Sequence, residues 1–303
     1  MLLNISSKKR NSLIVIILNY NHGKYLKKNI NSFLSQTYLP DKILIIDDGS
    51  TDNSRSFIKK IKNKSKIIST KIFKKNLGPI ARLNQSLKYI KHSHFIFFGA
   101  DDFLIDVKAL EMAMEAFNKY PKAGIASSLI VNADKSSLIV KKVKTPIVSN
   151  KTIFFNKEEV VNIFKKYGWW INSHPLIVRS EAFFHEKMKF INLGRYMDIL
   201  VFYKLAFKYG SIFIPRYTGA YRLVKNQYGQ KKVHSMIDNI NFNQFIVELK
   251  KIKILRKDKD FFKKVLYIRK MTTFNSIFLR FFYLLFLNPK FLFFYYWSRL
   301  PKF

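Results

Sequence analysis

Between residues 13 and 98 the chain repeats one alternation: a short apolar run, a turn, then apolar residues at helical spacing. The runs 13–18 (LIVIIL), 42–46 (KILII), 66–73 and 94–98 (HFIFF) have the length of buried strands. Between them, 24–35 carries Leu26, Ile30, Phe33 and Leu34, 53–62 fits a helix, and 80–90 carries Ile80, Leu83, Leu87 and Ile90. Strand and helix in strict alternation predict an α/β fold, a Rossmann-like, doubly wound and mainly parallel sheet. In such a sheet the ligand sits in the crevice at the carboxyl ends of the strands.

The segments after three of these strands are polar and acidic. Asn19-Tyr20-Asn21-His22-Gly23 comes after the first, Asp47-Asp48-Gly49-Ser50-Thr51-Asp52 after the second, and Gly99-Ala100-Asp101-Asp102 after the fourth. The chain has only 19 acidic residues, so five carboxylates at two strand ends are a concentrated signal. Gathered carboxylates repel one another unless a cation joins them, which makes a divalent metal their natural partner. Each motif alone is ambiguous: an Asp-Asp-Gly-Ser run also serves as a turn, and an Asp after a strand also caps a helix.

In order and spacing these segments resemble the family 2 glycosyltransferases, which use the GT-A nucleotide-diphospho-sugar transferase fold. The likeness runs from Leu13–Asn21 through Ser35-Gln36-Thr37-Tyr38, Ile46–Ser54, Asn76-Leu77-Gly78-Pro79-Ile80-Ala81-Arg82 and Phe98–Asp102. It is strong over 12–105, weaker over 106–225, and absent beyond about 230. The resemblance implies that Asn19, Tyr20, Asn21, Asp47, Asp48, Asn76, Gly78, Arg82, Ala100 and Asp101 line the donor-nucleotide site. Asp47 or Asp48 would accept from the base, Tyr20 would pack near it, and Arg82 would meet ribose or phosphate; a sheet-top filler and a surface cation are the plainer readings of the last two. Asp101 matches the last Asp of the family's metal motif, with Asp102 beside it, so Mg2+ or Mn2+ would sit there. Gly99 stands where the motif's first Asp is usual. Asp198 matches the family's catalytic base, with Met197 in place of the usual Glu. Arg222, in a Tyr-Arg pair, is expected at the diphosphate. Trp169, Trp170 and His174 fall where acceptor contacts or core packing are expected. The activity implied is inverting, one-step transfer of a sugar, with a UDP-sugar the expected donor, to a glycan or lipid-linked saccharide in bacterial surface polysaccharide synthesis. The motif of the processive synthases is missing, since the only tryptophans are Trp169, Trp170 and Trp297.

The rest of the chain is read from its residues. Strands are expected at 124–132, 171–178 and 211–214, a polar loop at 134–152, and helices at 156–167 and 195–209. Residues 230–270 read as basic helices, and 274–303 are crowded with aromatics. The expected division is a catalytic domain, 1–228, with nucleotide and acceptor halves meeting near 105, and a basic helical, aromatic-rich extension, 229–303. The chain has no cysteine, which excludes disulfide frameworks, zinc ribbons and thiol nucleophiles. Its formal net charge is +36, from 44 Lys and 11 Arg against 19 acids. The heavy use of Lys, Asn, Ile and Phe fits an AT-rich coding sequence, yet the field still attracts anionic surfaces. A nucleic-acid partner is not expected, because no finger, helix-turn-helix or RNP-like motif is present. No secretory signal or run of about 18 apolar residues is seen, so a cytoplasmic protein is expected. Its tail, interrupted by Pro289, would attach it to the inner face of an anionic membrane.

Overall fold

The computed structural model describes residues 11–143, 145–173, 175–224 and 236–273. The nucleotide half is built from β1 (Leu13–Asn19), α1 (Gly23–Leu34), β2 (Lys42–Asp47), α2 (Ser54–Ile61), β3 (Ile68–Ile72), α3 (Pro79–Ser86) and β4 (His94–Gly99). β1 lies parallel between β2 and β4, and β3 is added outside β2. β1 shows why the sheet is covered on both faces. Leu13, Val15 and Ile17 point into one core, Ile14 and Ile16 into the other, and all five are fully buried. Side chains alternate across a strand, so a continuous apolar run serves two apolar layers.

The second half adds β5 (Phe103–Leu104), α4 (Ala109–Lys119), β6 (Ile125–Ala133), β7 (Ile139–Lys142), β8 (Ile153–Phe155), α5 (Lys157–Tyr167), β9 (Leu176–Arg179), α6 (Ser180–His185), α7 (Met197–Tyr209) and β10 (Ser211–Arg222). The sheet order is β3-β2-β1-β4-β9-β6-β10-β5, with β7 on β6 and β8 on β10. β9 is antiparallel to both β4 and β6, and joins the two halves. This is the expected mixed, mostly parallel α/β architecture.

Three local expectations are corrected. The strand expected over 171–178 is confined to 176–179. The polar loop 134–152 contains β7, paired with β6 across a tight turn. The short strand 211–214 continues to Arg222 as the twelve-residue β10. Its register slips between Ile214 and Tyr217 and again before Gly219. Pro215 lies in the first slip; it has no N–H to give the ladder, so it splits the pattern without ending the strand.

Two helices complete the described chain, α8 (Met236–Lys250), which carries one Lys against two acids, and the basic α9 (Lys259–Thr273). Their apolar residues Phe245, Leu249, Phe261 and Val265 belong to the same buried cluster as Ile14 and Ile16. Phe261 meets Phe164 of α5 at 4.6 Å and Phe207 of α7 at 5.3 Å between ring centroids. The aromatic segment 274–303 lies outside the described residues. Among those described, no helix is long and apolar enough to cross a membrane.

Candidate donor and acid-base site

The carboxyl edge of β1 and β2 is knitted by its own polar groups. Asn19 donates to Asp47 Oδ1 at 2.7 Å and to Ser50 Oγ at 3.1 Å. Asp47 is fully buried and also accepts from the Ser50 amide at 3.1 Å. Asn21 adopts a left-handed φ of 55°, which Asn tolerates, and accepts from the Thr51 amide at 2.7 Å. Gly49 has φ +76°, and a Cβ there would come 2.7 Å from the Asn76 amide nitrogen. The glycine thus lets the 47–52 loop close onto the 74–78 loop.

Asp48 fastens the second loop. Its carboxylate accepts from the amides of Leu77 (2.9 Å) and Gly78 (2.8 Å) and from Arg82 Nε (2.6 Å). Arg82, expected at ribose or phosphate, is instead buried. Its guanidinium lies 3.6 Å over the Phe73 ring and also donates to Lys75 O and Gln85 Oε1. The left-handed Gly78 borders open space, Asn76 is exposed, and Tyr20 is 43% exposed at the mouth of these loops.

The acidic turn after β4 is held by Asn29, which sequence reasoning missed. From within α1 its side chain donates to Gly99 O and Asp102 O, each at 2.8 Å. A buried Asn on an apolar helix face is the signal that marks it. Ala100 is buried, and its amide donates to Leu18 O at 3.0 Å. A Cβ on Gly99 would fall 2.8 Å from Asp101 Oδ1 and 3.3 Å from Asp102 Oδ2. Both carboxylates therefore turn over residue 99, into the space that a side chain there would fill. Asp102 is buried; burial, then the neighbouring Asp101, pushes its carboxyl well above the usual range.

Asp102 also accepts from the Arg222 amide at 2.9 Å. The Arg222 side chain, expected at the diphosphate, is 1% exposed and engaged elsewhere. It donates to Asp101 O, Asp134 O, Lys135 O and Ser137 Oγ, and its guanidinium lies 4.4 Å over the Tyr25 ring. Trp170 takes the core alternative: it is fully buried, edge-on to Phe155 and Phe213, with its amide bonded to the Tyr203 hydroxyl. Trp169 packs on Phe164 and Tyr203. His174 lies outside the described residues.

Asp198 is the second residue of α7 and accepts from the Ile199 amide at 2.8 Å. Burial raises its carboxyl, against hydrogen bonds that include one from the Ser173 side chain. Tyr221 feels the charge of both Asp198 and the acidic turn. Burial raises that phenol to about 12, and the charges of Asp102, Asp101 and Asp198 add to the rise. Carboxylates from segments about a hundred residues apart thus act electrostatically on one phenol.

The model of the family described as glycosyl transferase family 2 matches residues 14–183, more than half of the chain. The chain belongs to this family. Among curated relatives, an uncharacterized glycosyltransferase of Nostoc sp. is 36% identical over 38% of this chain and 35% of its own length. The poly-beta-1,6-N-acetyl-D-glucosamine synthase of Staphylococcus aureus is 30% identical over 40% of this chain and 29% of its own. The matched stretch thus spans about a third of those relatives. A structure of S. aureus TarS residues 1–349 with UDP-GlcNAc superposes with a TM-score of 0.65, at 17% identity, over 80% of this chain and 67% of that one. The mannosyltransferase PcManGT of Pyrobaculum calidifontis, solved with GDP-Man and Mn2+, gives 0.55 at 17% identity, over 83% and 66%. At these identities the likeness shows the fold, which is the GT-A fold.

The described part of this family 2 chain holds no group of three or more Asp, Glu, His or Cys placed to bind a metal. Asp101 and Asp102 stand as a pair. Their shared cradle over Gly99, and the raised carboxyl of Asp102, fit a cation held by these two side chains with a ligand supplying further oxygens.

Proposed function

We propose that the chain transfers a sugar from a nucleotide-diphosphate donor to a hydroxyl of a glycan or lipid-linked saccharide, with inversion and one sugar per encounter. The observation that supports this most is the Asp101–Asp102 pair turned over Gly99 at the end of β4, whose charge, with that of Asp198, acts on the Tyr221 phenol. The loops 47–52 and 76–78, with exposed Tyr20 at their mouth, offer the surface for the base and ribose; Asp47 and Asp48 hold those loops in shape. Asp198 is the base. Its raised carboxyl draws the proton from the acceptor hydroxyl as that oxygen attacks the anomeric carbon. Tyr221 keeps its proton at neutral pH and serves as a neutral donor beside the carboxylates. A divalent cation, Mg2+ or Mn2+, on Asp101 and Asp102 would supply Lewis-acid charge to the departing diphosphate.

The relatives' names point the same way. One is a polysaccharide synthase, and the solved neighbours were captured with UDP-GlcNAc and GDP-Man. A UDP-sugar donor, bacterial surface polysaccharide synthesis, and peripheral attachment to the inner face of the cytoplasmic membrane complete the reading. The test is a panel of nucleotide sugars with Mg2+, with Mn2+ and with chelator, following nucleotide release. Turnover of one donor that ceases in chelator and in Asp101→Ala, with unchanged circular dichroism, is expected. Full activity of Asp101→Ala would remove the metal assignment. No turnover of any donor would favour a module without activity.

A further inference from the structure

We propose that the β6–β7 hairpin is a docking element for an anionic lipid surface, placed so that the acidic turn is held at that surface. Leu138, Ile139 and Val140 are three consecutive large apolar residues, exposed by 67%, 56% and 55%. Successive side chains of a strand point to opposite faces. Ile139 and Val140, both in β7, are exposed together, so neither face of the strand is packed against the body. Apolar residues gathered in this way mark an interaction site, whereas isolated ones do not.

The hairpin is braced. Asp134 Oδ1 accepts from the Leu138 amide (2.9 Å) and from Ser136 Oγ (2.6 Å), closing the turn. Arg222 grips the turn from inside through Asp134 O, Lys135 O and Ser137 Oγ. The same arginine contacts the backbone of Asp101 and, through its amide, the carboxylate of Asp102. One buried residue thus fixes the apolar strand relative to the two carboxylates.

Charge selects the occupant. Lys135, Lys141 and Lys142 flank the apolar residues and are exposed. Cations beside apolar tips suit an interface with anionic headgroups, where the tips enter the acyl boundary and the ammonium groups stay in the headgroup layer. A formal charge of +36 opposes pairing of this strand with a second copy. If the proposed activity holds, the docked hairpin presents the site to a saccharide carried on a lipid; the docking itself does not depend on that reading.

The chain has no cysteine, so one introduced thiol is unique. Ile139→Cys, carrying an environment-sensitive fluorophore, is mixed with vesicles of phosphatidylglycerol and phosphatidylcholine, and with phosphatidylcholine alone. Lys64→Cys, exposed in the α2–β3 connection at the opposite end of the strands, is the control. A severalfold rise in emission with a blue shift is expected at 139 on anionic vesicles only, with none at 64. In the unlabelled full chain, Leu138→Ser/Ile139→Ser/Val140→Ser should lower the vesicle partition coefficient at least tenfold while circular dichroism and donor turnover are kept. No change at 139, equal change at both positions, or equal flotation of the triple variant would overturn the proposal. A shift from dimer to monomer in that variant without loss of flotation would also overturn it, assigning the face to a second copy. Absence of donor turnover with flotation intact would touch only the reading of activity.

Discussion

Asp198 shows how one environment sets one side chain's chemistry. A carboxylate at a helix N-terminus is ordinarily favoured as an anion. Here burial outweighs that, so the group holds its proton more tightly and becomes a better base when ionised. Asp198→Asn should keep donor affinity by calorimetry and slow transfer by about 10² or more, the scale of lost general-base catalysis. A parallel fall in affinity would make it a binding residue. His94 gives a second expectation, unrelated to the site. Burial first, then Arg179, lowers its imidazole to about 4. Between about 6.5 and 4 the unfolded chain takes up the proton and the folded chain does not. Stability is therefore full above pH 6.5 and is lost as pH falls toward 4, by about 3 kcal/mol at most. His94→Gln should flatten that part of the stability–pH curve measured by urea unfolding. The places of Asp101 just after a strand and Asp198 at a helix start were legible, because a carboxylate there is a local signal. The burial of Arg82 and Arg222 was not legible. It depends on partners up to 121 residues away, such as Asp101 for Arg222.

Among elements, the strands were legible where a single period of apolar residues ran unbroken, as in β1, and illegible where chemistry interrupted it. β10 reads as two pieces because Pro215 and the slips around Tyr217 disturb the alternation. β7 reads as loop because its residues are exposed on both faces, so no inward period exists. The loop between β3 and α3 depends on one ion pair. Asp48 and Arg82 meet at 2.6 Å, with side-chain exposures of 9% and 3%. Arg82→Ala would leave the carboxylate of Asp48 buried without its cation, at a cost of about 3–5 kcal/mol. Arg82→Lys should recover little, since a lysine cannot serve Asp48, Gln85 and the Lys75 carbonyl from one planar fork. Denaturant midpoints of the two variants check this, and a cost under about 1 kcal/mol for Arg82→Ala would mean that the loop is held by its amide bonds alone.

For the whole molecule, the basic extension predicted as a separate segment shares its interior with the α/β body over 236–273. Charge composition set 230–270 apart in the sequence, but the apolar minority within it decides the packing. Phe245, Leu249, Leu255 and Phe261 are all fully buried. Polar ties cross the same seam, Lys204 to Glu248 at 2.7 Å and Lys165 to Asp258 at 3.1 Å, while Arg269 to Asp238 at 2.7 Å ties α9 to α8 within the extension. The first two are partly exposed and contribute little. The aromatic seam carries more, because a buried Phe loses both its transfer energy and its neighbours' contacts when truncated. Phe261→Ala should cost about 3–5 kcal/mol. In a body of this size that lowers the thermal midpoint by on the order of 10 °C. An exposed change on the same helix, Lys263→Ala, should move it by less than a degree or two, since surface substitutions stay within about 0.5 kcal/mol. Calorimetric scans should show one transition in the wild type and one, shifted, in Phe261→Ala, because α5 and α7 lose packing along with α9. Two transitions, with only a small early one moved by the substitution, would mean that the helices unfold independently and that the catalytic body ends near residue 228.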